Sequence, residues 1–222
     1  MAQFEYTRIV DLSYPVDADA PREMPIGPPK LYHTATMQKD GYFESRIDLS
    51  GHCSTHIDTP SLMYRDGYSA EGIDVERLAG EAALVDVSGR ALGSVLDTEA
   101  FQAWEDAGGD LGGRRIAFVK TGMEAHFGEK AYNHNWIGLN GDGAQWLVDR
   151  EIQLVGIDSC AIESVWGPRD NFPAHHTFLR NGIPIVENLR GLDALPDRFF
   201  TVVSPMKLSN SSGSPARVFA FL

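Results

Sequence analysis

Apolar and polar positions fall in short blocks along the chain, and the blocks predict more strands than helices. Residues 7–13 read as a first strand, in which Ile9 and Val10 lead into Asp11-Leu12-Ser13. Pro15, Pro21, Pro25, Pro28 and Pro29 follow, so helix is excluded there and a long irregular loop is expected. Residues 31–37 and 42–49 predict two strands, with Lys39-Asp40-Gly41 as the turn between them. Further strands are predicted over 82–87, 115–121, 154–157, 183–186, 199–206 and 215–221. Pro184 puts its strand near an edge or at a strand start. Helical spacing appears over 98–107, where Phe101 and Trp104 share a face and Gly108-Gly109 ends the run. It recurs over 140–150, with Ala144, Leu147 and Val148 on one face, and over 175–181, closed by Gly182. The expected fold class is α+β, with residues 1–222 forming one domain around a central mixed sheet or partial barrel.

Composition narrows the function. The chain has 222 residues, 43% of them hydrophobic and 23% charged, which suits one globular domain with a core of its own. No apolar run is long enough for a transmembrane helix, so no membrane partner is expected. A net charge of −12 argues against a nucleic-acid partner. The start, Met1-Ala2-Gln3-Phe4-Glu5-Tyr6, has no basic region followed by an apolar stretch, so a cytoplasmic location is expected. Cys53 and Cys160 form no CxxC and are read as reduced, buried thiols.

The segment Gly51-His52-Cys53-Ser54-Thr55-His56-Ile57-Asp58-Thr59-Pro60 concentrates chemistry. Imidazole nitrogen and carboxylate oxygen are common donors to zinc and manganese. On a single helix Asp58 would point roughly 200° away from His56, so a helix cannot aim all three groups at one ion. On a strand, positions 52, 56 and 58 share a face, but His52 and His56 would lie about 13 Å apart. A bend between them resolves this. The expectation is a kinked loop leading into a short extended piece that carries His56 and Asp58 side by side, with Pro60 ending the pairing.

These residues resemble the signature H-x-G-T-H-x-D-x-P-x-H of the metal-dependent cyclase family, which includes bacterial kynurenine formamidase and isatin hydrolase. Asp11-Leu12-Ser13, Thr121-Gly122, Gly156-Ile157-Asp158, Glu187-Asn188-Leu189 and Gly213-Ser214-Pro215-Ala216-Arg217 also sit where this family has similar pieces. Two positions depart from the signature: Ser54 replaces its glycine and Leu62 its last histidine. The resemblance implies a swivelling β/β/α fold and a homo-oligomer, a homodimer or homotetramer, with sites near subunit contacts. It implies His52, His56 and Asp58 as ligands of one divalent ion, manganese or zinc. It also implies His175 and Glu187 as catalytic residues, because they match a family histidine followed twelve residues later by a glutamate. Leucine offers no donor, so a second ion is not expected.

The function expected on this basis is hydrolysis of an amide or lactone bond in a small cyclic or acyl substrate by a metal-bound water, with His175 moving a proton. Glu187 would orient His175 or complete the metal shell. A cyclase or dehydratase, and a binding protein with a degenerate site, remain open alternatives. His33, His126, His134 and His176 are read as structural or solvated. Phe43, Trp136, Trp166 and Phe172 are read as core by default, with one or two of them lining a pocket for a planar substrate.

Overall fold

A computed structural model describes residues 5–21, 27–165 and 171–222; Pro25 and Trp166 lie outside the described residues. The strands are β1 (Ile9–Asp11), β2 (Lys30–Ala35), β3 (Glu44–Asp48), β4 (His56–Asp58), β5 (Ala79–Asp86), β6 (Val95–Leu96), β7 (Ile116–Lys120), β8 (Gly138–Leu139), β9 (Leu154–Ile157), β10 (Ile185–Glu187), β11 (Arg198–Pro205) and β12 (Gly213–Phe221). The α-helices are α1 (Met37–Asp40), α2 (Thr98–Asp106), α3 (Lys130–His134), α4 (Gly141–Val148) and α5 (Pro173–Arg180).

Eight strands form one mixed sheet in the order β1-β12-β11-β5-β7-β9-β10-β4. β4 pairs with β12 as well as with β10, so the strands from β12 round to β4 close on themselves and leave β1 on the outside of β12. Seven of the eight strands thus form a closed ring within the central mixed sheet that was expected. β5, β7, β9 and β10 run parallel, while β4, β11 and β12 pair antiparallel.

Strand alternation sorts side chains into two cores. Ile57, Leu84, Phe118, Leu154, Val186, Val203 and Val218 fill the inside of the ring. Val85, Val119, Val155, Ile157 and Ile185 point outward, where α2, α4 and α5 cover them with Phe101, Leu147, Phe178 and Leu179. Caps start the covering helices: Asp97 accepts from the Ala100 amide at 3.0 Å, Asn140 accepts from the Gly143 amide at 2.9 Å, and Pro173 opens α5. Pro184 directly precedes β10, where the missing N–H costs no bond within the strand.

One local expectation is corrected. A full helical turn, α1, stands where a tight turn was expected, because Asp40 accepts from the Thr36 amide at 2.8 Å and Gly41 closes the turn at φ 78°. Farther along, α3 carries a buried Tyr132. No helix among the described residues is long and apolar enough to cross a membrane.

Candidate metal centre

The parity that points Ile57 and Val186 into the ring points His56, Asp58 and Glu187 to its outer face, beneath α5. In the β4–β10 ladder His56 is the register partner of Glu187, and on the other side Gly213 of β12 is the partner of Asp58. His175 joins them from the buried face of α5, which also carries Ala174, Phe178 and Leu179. His52 arrives from the loop before β4.

The bend between His52 and His56 falls at Ser54, which adopts φ 62° and occupies the left-handed region that glycine fills without strain. Ser54 is held there by hydrogen bonds. Its Oγ donates to the carbonyls of Tyr14 and Pro15 at 3.0 and 3.2 Å, and its amide donates to Pro21 at 2.8 Å. The serine therefore holds a backbone conformation that glycine adopts freely. Gly213 makes room on the far side, since a Cβ there would lie 2.7 Å from His52 Cε1.

Hydrogen bonds fix which ring nitrogens face the centre. His56 Nδ1 lies 2.9 Å from the Ser54 carbonyl, which only accepts, so Nδ1 carries the proton and Nε2 is left to face the site. His56 Nε2 is 3.3 Å from Asp58 Oδ1 and 3.4 Å from Glu187 Oε2. His175 repeats the arrangement: its Nδ1 is 3.3 Å from Glu163, and its Nε2 is 3.5 Å from Glu187 and 3.7 Å from Asp58. His52 Nδ1 lies 2.6 Å from Asp58 Oδ1, and its Nε2 lies 2.8 Å from Ser212 Oγ. Glu187 Oε1 also accepts from the Ile162 amide at 2.7 Å.

His56 and His175 thus turn their Nε2 atoms toward carboxylate oxygens in a buried space. Such a set is satisfied by a cation among the groups or by protons on the rings. The electrostatics agree. Burial alone would lower the pKa of His56, but Asp58 and Glu187 raise it well above its ordinary value. Burial opposes charge on His175 too, and Asp58, Glu163 and Glu187 outweigh it in the same direction. Burial would raise Asp58, yet the neighbouring imidazoles, led by His56, hold it well below the usual carboxylate range. Glu187 is pushed up by burial and by Asp58, but His175 and His56 leave it lowered overall. Among the described residues two sets of donors lie close enough to hold an ion: His52, His56 and Asp58, and Asp58, His175 and Glu187. By number and type these groups fit a divalent metal.

The cavity above them has a volume of about 300 Å³. Leu62, Met63, Cys160 and Phe172 form its wall opposite the polar groups. Phe172 is thus the pocket aromatic, while Trp136 is buried in the core and Phe43 is exposed. The remaining histidines lie elsewhere: His176 accepts or donates a bond with the Tyr64 hydroxyl at 2.8 Å, His126 pairs with Glu129, and His33 lies against the Phe43 ring.

Glu163 was missed by the sequence reading. It is buried and accepts from the Ala174 amide at 3.0 Å and the His175 amide at 3.2 Å. It sits one hundred and sixty-odd positions from the start in an unremarkable Ala-Ile-Glu-Ser run, and no local spacing marks it. The other pieces singled out in the sequence tie strands and loops of the fold together. Asp158 accepts from the Thr121 and Gly122 amides at 2.8 and 2.9 Å, which joins the ends of β7 and β9. The Asn188 carbonyl accepts from Thr55 Oγ1 at 2.6 Å. Ser13 Oγ accepts from the Val218 amide at 2.7 Å.

Comparison with known proteins gives the family and the fold. The family model Cyclase, described as "Putative cyclase", matches residues 10–164. Cyclase-like protein 2 of Oryza sativa subsp. japonica is 32% identical over 181 residues, covering 78% of this chain and 63% of that protein. The chain therefore spans less than two thirds of that relative's length. Kynurenine formamidase of Bacillus cereus is 28% identical over 175 residues, covering 78% of this chain and 77% of that enzyme. Among solved structures, isatin hydrolase A from Labrenzia aggregata bound to benzyl benzoate superposes with a TM-score of 0.87 at 25% identity, covering 97% of this chain and 93% of that one.

Proposed function

Because this chain belongs to the cyclase family, we propose that it is a metal-dependent hydrolase that opens an amide or lactone bond of a small cyclic or acyl substrate. One observation carries this reading: the Nε2 atoms of His56 and of His175 are aimed at the carboxylates of Asp58 and Glu187 beside an apolar cavity. His52, His56 and Asp58 hold one divalent ion, zinc or manganese, both of which suit two imidazoles and a carboxylate. When bound, such an ion polarises a carbonyl and acidifies water.

The chain's own residues do the rest. Glu163 keeps the His175 proton on Nδ1, so Nε2 is the atom that takes and returns a proton at the reacting centre. Glu187 lies within reach of both His56 and His175 and completes the ring of donors. Leu62, Met63 and Phe172 exclude water and pack against the apolar part of the substrate. That relatives act on kynurenine derivatives and isatin supports a small substrate with a planar ring. The protein works as a single domain in the cytoplasm and as a homodimer or homotetramer.

The test is metal analysis together with assays on isatin, N-formylkynurenine and simple lactones, with product mass recorded. The expected result is about one ion per chain and a product heavier by one water. Turnover that survives chelation or His56→Ala refutes the reading, and a product lighter by one water replaces hydrolysis with dehydration.

A further inference from the structure

The chain that leaves β4 turns back and fastens to α5 and to the residues just beyond it. Pro60, Ser61 and Leu62 form a 3-10 turn, closed by the Met63 and Tyr64 amides, which donate to the Pro60 carbonyl at 3.1 and 2.9 Å. Gly67 lets the chain fold against Pro60, since a Cβ there would lie 2.5 Å from the Pro60 carbonyl carbon. The Tyr64 hydroxyl lies 2.8 Å from His176 Nδ1 and 3.4 Å from the His176 carbonyl. Tyr68 makes a second fastening: its hydroxyl donates to the Gly182 carbonyl at 2.8 Å. Both partners of the first bond adjoin cavity residues. Leu62 and Met63 directly precede Tyr64, and His175 directly precedes His176. The His176 amide donates to the Phe172 carbonyl at 2.9 Å. Phe172 stands at φ 38° and ψ 56°, a backbone conformation rare for a residue with a Cβ. Its ring meets the His175 ring edge-on, with centroids 5.8 Å apart. One hydrogen bond therefore joins the element that bears Leu62 and Met63 to the element that bears Phe172 and His175, and all four line the cavity. Tyr64 itself faces a separate surface cleft with Leu179 and Arg180.

We propose that Tyr64 and His176 are positioning residues, a clamp that sets the width of the substrate cavity and so selects flat ring substrates over compact, puckered ones. The clamp acts on the proposed hydrolase site and in that respect rests on the hydrolase reading. A bond of fixed length between two backbone segments keeps their cavity side chains at a set separation. A flat ring gains from contact with apolar walls only while the gap matches its thickness, because a gap wider by less than an ångström already forfeits much of each contact. Without the bond, Phe172 is free to leave its rare backbone conformation and to take its ring off His175. A small puckered lactone occupies only the space beside the polar donors and does not depend on the separation of the walls. His176, which the sequence reads as structural, thereby acquires a function through Tyr64 while its neighbour His175 does the chemistry.

The experiment compares the metal-loaded wild type with Tyr64→Phe, His176→Leu, their double variant, His176→Asn and Tyr68→Phe. Isatin serves as the flat substrate and γ-butyrolactone as the compact one. Binding of indole, which has a flat ring and no bond to hydrolyse, is titrated in parallel. Tyr64→Phe and His176→Leu should each raise the KM for isatin and the Kd for indole about tenfold, with kcat within about threefold of wild type and the KM for γ-butyrolactone unchanged. The double variant should be no worse than either single one, because both remove the same bond. His176→Asn offers Tyr64 a donor and an acceptor near the place of Nδ1 and should restore the wild-type values. Tyr68→Phe loses a bond of the same kind beyond the far end of α5 and should leave the preference between the two substrates as it is. Equal losses for flat and compact substrates overturn the clamp. So do additive effects in the double variant, an asparagine variant no better than the leucine one, a Tyr68→Phe protein with the same loss of preference, or a wild type that does not bind indole. If none of these compounds is hydrolysed while indole binding follows the expected pattern, the hydrolase reading falls and the clamp stands.

Discussion

Glu187 stands directly opposite His56 in the antiparallel pair of β4 and β10, and its Oε2 is 3.4 Å from His56 Nε2. The pairing of two backbones, rather than the reach of two flexible side chains, sets this separation. The same three residues of β4 also pair with β12, so both neighbours hold the position of Asp58. A centre built this way is prearranged, and each group around it has a separable role.

The role of Glu163 is to fix the His175 ring. Glu163→Gln keeps the shape and still offers an oxygen to the Ala174 and His175 amides, but it no longer offers a carboxylate to Nδ1. We expect turnover to fall about 10- to 100-fold, and its pH profile to shift, with little change in metal affinity or melting temperature. Glu163→Ala also strands two buried amides and should cost about 1–3 kcal/mol of stability. Steady-state assays across pH and thermal melting read the two effects apart. Unchanged turnover and an unchanged pH profile in Glu163→Gln would remove Glu163 from the positioning of His175.

Ser54 combines a conformational cost with a hydrogen-bonding gain. The left-handed backbone costs a non-glycine residue about 1–2 kcal/mol, and its two hydroxyl bonds return about 1 kcal/mol each. Ser54→Gly should therefore be nearly neutral. Ser54→Ala keeps the strain and loses both bonds, and should lower the melting temperature by several degrees. Equal losses in the two variants would show that the backbone angle carries no cost here.

Metal and protons compete for the same nitrogens. The pKa values of His56 and His175 are raised in the folded protein, burial opposing and the facing carboxylates prevailing. Their contribution to metal-free stability is thus complete below the ordinary histidine value and is lost as pH climbs through the raised ones. An added ion replaces the missing protons at the upper end. The gain in melting temperature on adding metal should therefore grow from pH 6 to pH 9. A gain that shrinks over that range would contradict the assignment of the His56 ring as a donor.

Asp158 gives a pH signal of its own, away from the metal. Burial raises its pKa to about 6, and the Thr121 and Gly122 bonds oppose the rise. The folded state then holds a proton that the unfolded state releases near pH 4, so stability falls as pH rises from about 4 to about 6. The fall is worth roughly 3 kcal/mol, at about 1.4 kcal/mol per unit of pKa. Urea unfolding across that range should show this decline in the wild type, and Asp158→Asn should flatten it. A slope of the same size in the variant would assign the decline to other groups.

Much of the fold was legible because alternation and capping are local. The 98–107 and 140–150 helices and the strands of the parallel core follow from spacing alone, as does the extended piece carrying His56 and Asp58. Closure of the ring was not legible, because β4 has three residues and its pairing with both β10 and β12 depends on contacts over a hundred positions away. α1 was hidden by a single side-chain bond, from the Thr36 amide to Asp40. His175 and Glu187 were found through family resemblance, since neither has local spacing to the first cluster. Glu163 had no such guide, and only the fold brings it to the start of α5.

The strand that closes the ring is also the strand that bears His56 and Asp58. A loop can absorb an inserted residue, but β4 cannot. One extra position between residues 55 and 59 would swap inward for outward side chains, turn His56 and Asp58 toward the packed interior, and unzip two ladders together. Evolution and the protein engineer therefore meet the same restriction: chemistry at this centre is open to change through its walls and its neighbours, while the length of this segment is frozen.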